Sequence, residues 1–131
     1  YTRSDKPHTE GNSYYKEANY WDIPQLVQES KVKLQTLDKL FKDNTTFDLI
    51  KVDTQGSELD ILEGGKKLVS KSKAVILEVS FIEHNLGAPS DKETMDYMNG
   101  IGFEEKMSIG EHYDGDELVQ KDLLFLNREL L

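Results

Sequence analysis

Two nearly continuous apolar segments constrain the fold of this chain more than any other feature. Residues 47–53 (FDLIKVD) and 74–81 (AVILEVSF) have the apolar density and the length of buried β-strands. Between them, residues 57–63 place Leu59 and Leu62 at helical spacing, with acidic residues in the first turn, which favour the start of a helix. A strand, a helix and a second apolar strand in this order predict a parallel α/β sheet covered on both faces.

Further elements follow from the spacing of apolar residues and from the positions of Gly, Pro and Asn. They are a strand at 31–36, helices at 38–41 and 91–101, a helical or turn segment at 66–72, and strands at 103–109 and 118–127. A polar, acidic turn at 110–117, and not a helix, joins the last two strands. The α/β sheet is therefore predicted to end in an antiparallel hairpin.

A chain of 131 residues forms one domain at most. Residues 1–30 are polar and follow no period, so they are predicted to be an arm or loop, and residues 31–131 form the domain. The arm carries Tyr14, Tyr15, Tyr20 and Trp21. These aromatic side chains either pack on their own domain or form a surface for a ligand or partner.

The chain contains no cysteine, which excludes a disulfide framework, a thiolate zinc site and a cysteine nucleophile. An absence of cysteine fits a reducing compartment, and no signal-peptide pattern is visible. The apolar runs are also far too short to span a bilayer. The sequence therefore predicts a cytoplasmic protein.

The net charge is −9, from 16 basic and 25 acidic side chains. Residues 91–131 hold 4 of the basic and 11 of the acidic residues, so the acidic excess lies mainly in the C-terminal third. Nucleic acid phosphates and anionic lipid surfaces repel such a chain. Neither nucleic acid nor a membrane is therefore expected as a partner.

The segment 51–58 (KVDTQGSE) is the strongest candidate for a functional site. A buried strand ends there in Asp53, turns through Gly56 and enters a helix. Ligands of open parallel sheets bind outside the carboxyl ends of the strands, which is where Asp53 is placed. Gly56 permits both a tight turn and a close approach of the backbone to a ligand.

Two ionisable residues lie inside the apolar strands themselves. Lys51 shares one face of its strand with Asp53, and Glu78 interrupts the next apolar run. An ionised group inside a buried strand is costly unless it is paired, so we expect Lys51 to pair with Asp53 or with Glu78. The alternative to a functional site is a purely structural ion pair.

Three further residues have open interpretations. Glu58 either caps the start of the helix or points into the cleft beside Asp53. His84 follows the second strand on a loop, where it is placed to take a proton. His112 lies in the acidic turn, which lacks the spacing of a calcium loop, so no metal site is predicted.

At these residues the chain resembles the FkbM family of methyltransferases. The resemblance is carried by Leu37-Asp38, by segments 47–65 and 75–80, and by Gly100-Ile-Gly-Phe103, and it covers roughly residues 31–128. It implies a Rossmann-like, class I methyltransferase sheet that ends in an antiparallel hairpin, with S-adenosylmethionine as the methyl donor. It also implies O-methylation of a hydroxyl on a sugar or a small natural product.

The resemblance suggests a role for each candidate residue. Asp53 and Glu78 would face the donor methyl and the acceptor, with Asp53 as the first choice of base and His84 as the second. The catalytic set is thus Asp53, Glu78 and His84, and the substrate- or cofactor-binding set is Lys51, Thr54, Gln55, Gly56 and Glu58. The partner implied is a small molecule that carries a hydroxyl group.

One departure from the family pattern is large. The glycine-rich turn after the first strand of a class I enzyme, and the acidic residue after the second, are both missing here. The sequence therefore predicts the C-terminal half of a larger domain, with the edge of strand 47–53 left open to self-association into a homo-oligomer. The alternative is a non-catalytic α/β binding or interaction module that lacks a complete donor site.

Overall fold

The computed structural model describes residues 2–3, 13, 15–16, 27–28, 30–83 and 85–130. Within these residues the elements alternate between strands and short helices along much of the chain. In order they are β1 (Thr2–Arg3), β2 (Val27–Gln28), α1 (Leu37–Leu40), β3 (Leu49–Val52), α2 (Glu58–Glu63), α3 (Lys66–Val69), β4 (Ala74–Ser80), α4 (Asp91–Gly100), β5 (Phe103–Asp114) and β6 (Glu117–Asn127). The β1 and β2 strands form a separate antiparallel pair.

The main sheet has four strands in the order β3-β4-β6-β5. The β3 and β4 strands are parallel, and α2 and α3 make the crossover between them, as the sequence predicts. The β6 strand pairs antiparallel with both β4 and β5, which confirms the closing hairpin. Because β3 and β4 run in the same direction, the turn after β3 and the last residues of β4 lie at the same end of the sheet, where the carboxyl ends of both strands are.

The core lies on one face of this sheet, so the sequence prediction of a sheet covered on both faces is wrong for the described residues. Alternate residues of β4 are buried there, which is the pattern expected of a strand with a single fully covered face. The buried cluster consists of Val52, Leu62, Val69, Val75, Leu77, Val79, Met98, Phe103, Leu123 and Phe125. Each fully buried side chain of this size stabilises the fold by about 1.5–3 kcal/mol. The other face carries Lys51 and Glu78.

Capping contacts define the start of α4. The Ser90 hydroxyl accepts a hydrogen bond from the Glu93 backbone N–H at 3.2 Å, and the Glu93 carboxylate accepts one from the Ser90 N–H at 2.9 Å. This reciprocal pair satisfies two amides that have no partner inside the helix. Gly102, at φ +90°, follows the helix and turns the chain into β5. The predicted helix at 91–101 is therefore confirmed.

The α3 helix is capped by a residue that lies far from it in the sequence. The Asp38 carboxylate accepts hydrogen bonds from the backbone N–H groups of Lys67 at 3.2 Å and Leu68 at 3.1 Å. Leu37, next to it, packs so closely on Gly65 that a Cβ there would lie 2.9 Å from the leucine Cδ1. Gly65 thus lets α1 approach the junction between α2 and α3.

Two sequence predictions of secondary structure are wrong. Residues 31–36 form no strand: Val32 and Leu34 alternate correctly but are 73% and 69% exposed. An alternating pattern makes a strand only where a neighbouring strand takes up its hydrogen bonds. The turn predicted at 110–117 is also shorter, because β5 continues to Asp114 and β6 begins at Glu117. Polar residues are tolerated there because β5 is largely exposed to solvent.

Part of the N-terminal segment packs on the domain. The Ser13 hydroxyl donates to the carbonyl of Gln55 at 2.5 Å, and the Tyr15 hydroxyl donates to Asp60 at 2.9 Å. Tyr15 therefore packs on its own domain. The other aromatic residues of this segment, Tyr14, Tyr20 and Trp21, lie outside the described residues.

The β3 strand lies at one edge of the main sheet. Within the described part of the chain it pairs with β4 alone. Self-association through this edge stays a prediction. None of the helices in the described ranges is long and apolar enough to cross a membrane.

Candidate active site

The turn after β3 has an unusual backbone. Gln55 adopts φ +56° and Gly56 adopts φ +106°, and Gln55 is the single non-glycine residue with a positive φ among those described. A side chain in this left-handed region costs roughly 1–2 kcal/mol, so other contacts must hold it there. Residues forced into such conformations cluster at functional sites.

Glu58 closes this turn from inside. Glu58 is 7% exposed, and its carboxylate accepts hydrogen bonds from the Thr54 N–H at 2.8 Å, the Thr54 hydroxyl at 3.2 Å and the Gly56 N–H at 2.9 Å. These donors lie in the turn before α2 and not in the first turn of the helix, and Glu58 also lines the cavity beside Glu78, so both sequence interpretations of Glu58 stay predictions. The polar groups of Thr54 and Glu58 thus satisfy each other and fix the shape of the turn.

Gly56 is required by its surroundings as well as by its φ angle. A Cβ at this position would lie 2.8 Å from the Ala88 Cβ and 3.4 Å from the Asn85 Cβ. The close approach that the sequence predicts for a ligand is made here by the loop at residues 85–88. Substitution of Gly56 would therefore push this loop away from the turn.

Glu78 is held by two side-chain amides. Its Oε1 accepts a hydrogen bond from Nε2 of Gln55 at 2.8 Å and another from Nε2 of Gln120 at 2.8 Å. Gln120 also donates to the Ser80 hydroxyl at 3.2 Å, opposite which it lies in the β4–β6 register. Sequence analysis missed Gln120, since it lies on β6, about 40 residues along the chain from Glu78 and Ser80.

Lys51 pairs with two carboxylates on the same face of the sheet. Its Nζ lies 3.2 Å from Oδ2 of Asp53 and 3.8 Å from Oδ2 of Asp122. The hydrogen bond with Asp53, and then the charge of Asp122, raise the pKa of the lysine. Of the two pairings expected for Lys51, the one with Asp53 is confirmed, and Asp122 is a partner that sequence analysis missed.

The electrostatic environment of Glu78 favours its neutral form. Burial is the main cause, followed by the negative charges of Asp53, Glu58 and Asp122, and together they raise the pKa of Glu78 to about 7. The Lys51 ammonium acts in the opposite direction. A carboxyl with a pKa near neutrality is well matched to accepting and releasing a proton at physiological pH.

A cavity of about 260 Å³ opens beside Glu78. It lies between the turn after β3, the carboxyl end of β4 and the start of α4. Three predicted site residues line it, namely Gly56, Glu58 and Glu78. Asp53 is not among the lining residues, although its charge acts on Glu78.

One group of side chains has the composition of a metal site. Glu78, His112 and Asp122 offer atoms that lie within 4.8 Å of one another, on three neighbouring strands. Two amide N–H groups already point at Oε1 of Glu78, and the Lys51 ammonium lies close to Asp122. We therefore assign these residues to a hydrogen-bonded charge cluster, and the predicted absence of a metal stays a prediction.

His84 and Asp122 complete the description of the site. His84, the second candidate base, lies outside the described residues, so its role stays a prediction. Oδ1 of Asp122 is buried and accepts no hydrogen bond within the described part of the chain. The polar cluster thus has an unused acceptor beside Glu78.

Comparison with known proteins gives one match. A family model of the methyltransferase FkbM domain matches residues 1–105. No curated protein and no solved structure matches the chain. The α/β sheet with charged strand ends is compatible with a methyltransferase. The chain belongs to the FkbM methyltransferase family.

Proposed function

We propose that this chain is an S-adenosylmethionine-dependent methyltransferase that methylates a hydroxyl group of a small molecule, such as a sugar or a natural product. One observation carries the proposal within the family: Glu78, fixed by two amides, opens on a cavity at the carboxyl end of β4. Its pKa of about 7 suits a proton acceptor. The Rossmann-like, class I architecture and the cytoplasmic location belong to the same proposal.

The charges around the cavity fit the donor in sign. Three carboxylates, those of Asp53, Asp122 and Glu78, act on one ammonium group, that of Lys51, and a fourth, that of Glu58, acts on Glu78. An excess of negative charge favours a sulfonium cation. Asp53 is only partly buried, at a strand end, and would hold this donor, which supplies an electrophilic methyl group when it is bound.

Other residues of the chain orient Glu78 and the reacting groups. Gln55 and Gln120 both bind Oε1 of Glu78, which leaves Oε2 for the acceptor hydroxyl. Ionised Glu78 takes the hydroxyl proton as the oxygen attacks. Asp53 does not line the cavity and is paired with Lys51. It is therefore better suited to positioning the donor than to the role of base that the sequence suggested. Fixed positions of this kind supply much of the rate of a group transfer.

Calorimetry with S-adenosylmethionine and S-adenosylhomocysteine, followed by transfer of a radiolabelled methyl group to a panel of hydroxyl compounds, tests the proposal. We expect donor binding and transfer by the longer domain that the sequence predicts, since residues 1–131 lack the glycine-rich turn and the acidic residue that hold the donor in class I enzymes. Glu78→Gln keeps both amide contacts through its carbonyl and should lower transfer at least about 100-fold while donor affinity changes little. The control, Glu105→Gln, changes an exposed residue of β5 and should alter neither quantity.

Two outcomes would contradict the proposal, namely a failure to bind the donor and native activity of Glu78→Gln. If neither donor compound binds to that longer domain, the enzyme assignment fails, and the non-catalytic α/β binding or interaction module takes its place. If the donor binds and Glu78→Gln transfers at the native rate, Glu78 is not the base, and His84 becomes the next residue to substitute.

A further inference from the structure

The cavity beside Glu78 has a one-sided charge. Five of its described lining residues carry carboxyl groups: Glu58, Glu78, Glu83, Asp91 and Glu93. None of the described lining residues is Lys, Arg or His. A concave surface lined by charges of one sign focuses their field and concentrates the opposite charge inside it.

The carboxylates of this cavity have neutral partners. Glu58 accepts from Thr54 and Gly56, the Glu83 Oε1 accepts from the Gly87 N–H at 3.1 Å, and Glu93 caps α4. Among the described residues, none of the five forms a salt bridge. Amide and hydroxyl donors stabilise a carboxylate without cancelling its charge, so the cavity keeps its negative potential.

The rest of the lining sets the size and the polarity of a ligand. Apolar groups of Leu59, Phe81 and Pro89 form part of the wall. A volume of about 260 Å³ lies just below the usual range of small-molecule sites, which begins near 300 Å³. The cavity therefore suits a compact molecule, about the size of one sugar ring, with a hydrocarbon face and a cationic group.

We propose that the methyl acceptor is a small hydroxyl compound that carries an ammonium group, which the carboxylates of this cavity bind. The proposal rests on the proposed function, because it names the class of substrate for the same site. The sulfonium of the donor is a second possible source of positive charge, and the experiment must separate the two. An anionic acceptor, such as a phosphate ester or a uronate, should be repelled by the same charges.

A matched series of methyl glucosides tests the charge preference without the donor. The compounds differ only at carbon 6, which bears an ammonium, an acetamide, a hydroxyl or a carboxylate. Saturation-transfer NMR and calorimetry on the full chain should show that the ammonium compound binds at least about tenfold more tightly than the acetamide. The preference should weaken as salt is raised from 20 to 500 mM, since screening reduces exposed charge interactions.

Substitutions of Glu83 and Asp91 test whether the carboxylates of the cavity cause the preference for the ammonium compound. Glu83→Gln with Asp91→Asn removes two charges while leaving Glu78 and the turn unchanged, and should reduce binding of the ammonium compound about five- to tenfold. Binding of the acetamide compound should stay the same. The control pair, Glu105→Gln with Asp116→Asn, removes two exposed charges from the β5–β6 hairpin and should change neither. Thermal melts show whether each variant is folded.

Three results would overturn the acceptor proposal. The first is equal binding of the ammonium, acetamide and hydroxyl compounds, and the second is preferred binding of the carboxylate. The third is displacement of the ammonium compound by S-adenosylmethionine in competition, which would assign the cavity carboxylates to the donor. If only donor binding fails, the proposed methyl transfer is contradicted. The charge preference of the cavity is a separate result, because it is measured without the donor.

Discussion

Nε2 of Gln55 lies 2.8 Å from Oε1 of Glu78, and Gln55 makes this contact from a left-handed backbone conformation with φ +56°. This contact joins the turn after β3 to the neighbouring strand β4. Ser13 holds the Gln55 carbonyl from the other side. The unfavourable backbone angle and the position of the proposed base are thus linked through one residue.

Substitutions of Gln55 separate these two effects. Gln55→Ala keeps the unfavourable φ and loses the amide, so we expect a loss of about 1 kcal/mol in the free energy of unfolding. Gln55→Gly loses the same amide but relieves the backbone by a similar amount, so its stability should stay within about 0.5 kcal/mol of the native value. Urea denaturation measures both, and equal destabilisation by the two changes would contradict a strained turn.

Glu78 should make stability depend on pH. Its folded pKa, about 7, lies above the ordinary value of 4.5, so the folded chain keeps a proton that the unfolded chain releases. The free energy of unfolding of the native chain, relative to Glu78→Gln, should be highest below pH 4.5 and fall as pH rises to about 7. With a discount for solvent screening of a partly exposed group, the fall is about 1–2 kcal/mol.

Burial is the main cause of this raised pKa, and five titratable groups also face Glu78. They are Lys51 and Asp53 at the end of β3, Glu58 at the start of α2, His112 on β5 and Asp122 on β6. Denaturation at several pH values, on the native chain and on Glu78→Gln in parallel, isolates the contribution of the one carboxyl. A difference that stays constant from pH 4.5 to 8 would show that Glu78 titrates normally.

Methyl transfer should also titrate with Glu78. Because the ionised form accepts the proton, kcat/KM should rise with pH and reach half its maximum near pH 7. Gln120→Leu removes an amide that stabilises the carboxylate, so the midpoint should move to higher pH. A structural role alone would lower the rate without moving the midpoint. An unchanged midpoint in Gln120→Leu therefore removes Gln120 from the positioning role.

Asp38→Ala should destabilise the chain by about 1 kcal/mol, because the first N–H groups of α3 lose their acceptor. Asp96→Ala is a suitable control, since Asp96 is an exposed acidic residue in α4 and should change stability by less than about 0.5 kcal/mol. Urea denaturation gives both values. Equal effects of the two substitutions would argue against a capping role for Asp38.

Leu77→Ala should lower the free energy of unfolding by about 2–5 kcal/mol, because Leu77 is fully buried at the centre of β4 and its loss leaves a cavity. Leu40→Ala removes the same side chain from an exposed position in α1 and should cost less than about 1 kcal/mol. Similar losses in the two variants would place the core elsewhere.

Local patterns predicted much of the fold. The apolar run at 74–81 became β4 at Ala74–Ser80, and the capping residues before α4 marked its first turn. The pattern at 31–36 failed, since a strand also needs a partner that no local sequence reveals. The length of the hairpin was missed for a related reason, because its polar residues face solvent and carry no apolar period.

The same limit applies to the candidate site. The pairing of Lys51 with Asp53 was predictable, since residues two apart on a strand share a face. The contacts of Gln120 and Asp122 with the site depend on the register between β4 and β6, which hydrophobic patterning does not give. For that reason the sequence indicated Asp53, Glu58 and Glu78, but neither Asp122 nor the Gln120 amide that holds Glu78 from β6.

The strand order has a consequence for synthesis of the protein. The β6 strand is the last of the four along the chain, yet it lies between β4 and β5. While a ribosome makes the protein, one side of β4 therefore has no β6 to pair with until residues 117–127 emerge. An unpaired strand rich in Val, Ile and Leu is open to aggregation during that interval. Nascent chains stalled before residue 117 should consequently depend on chaperones more than the released chain does.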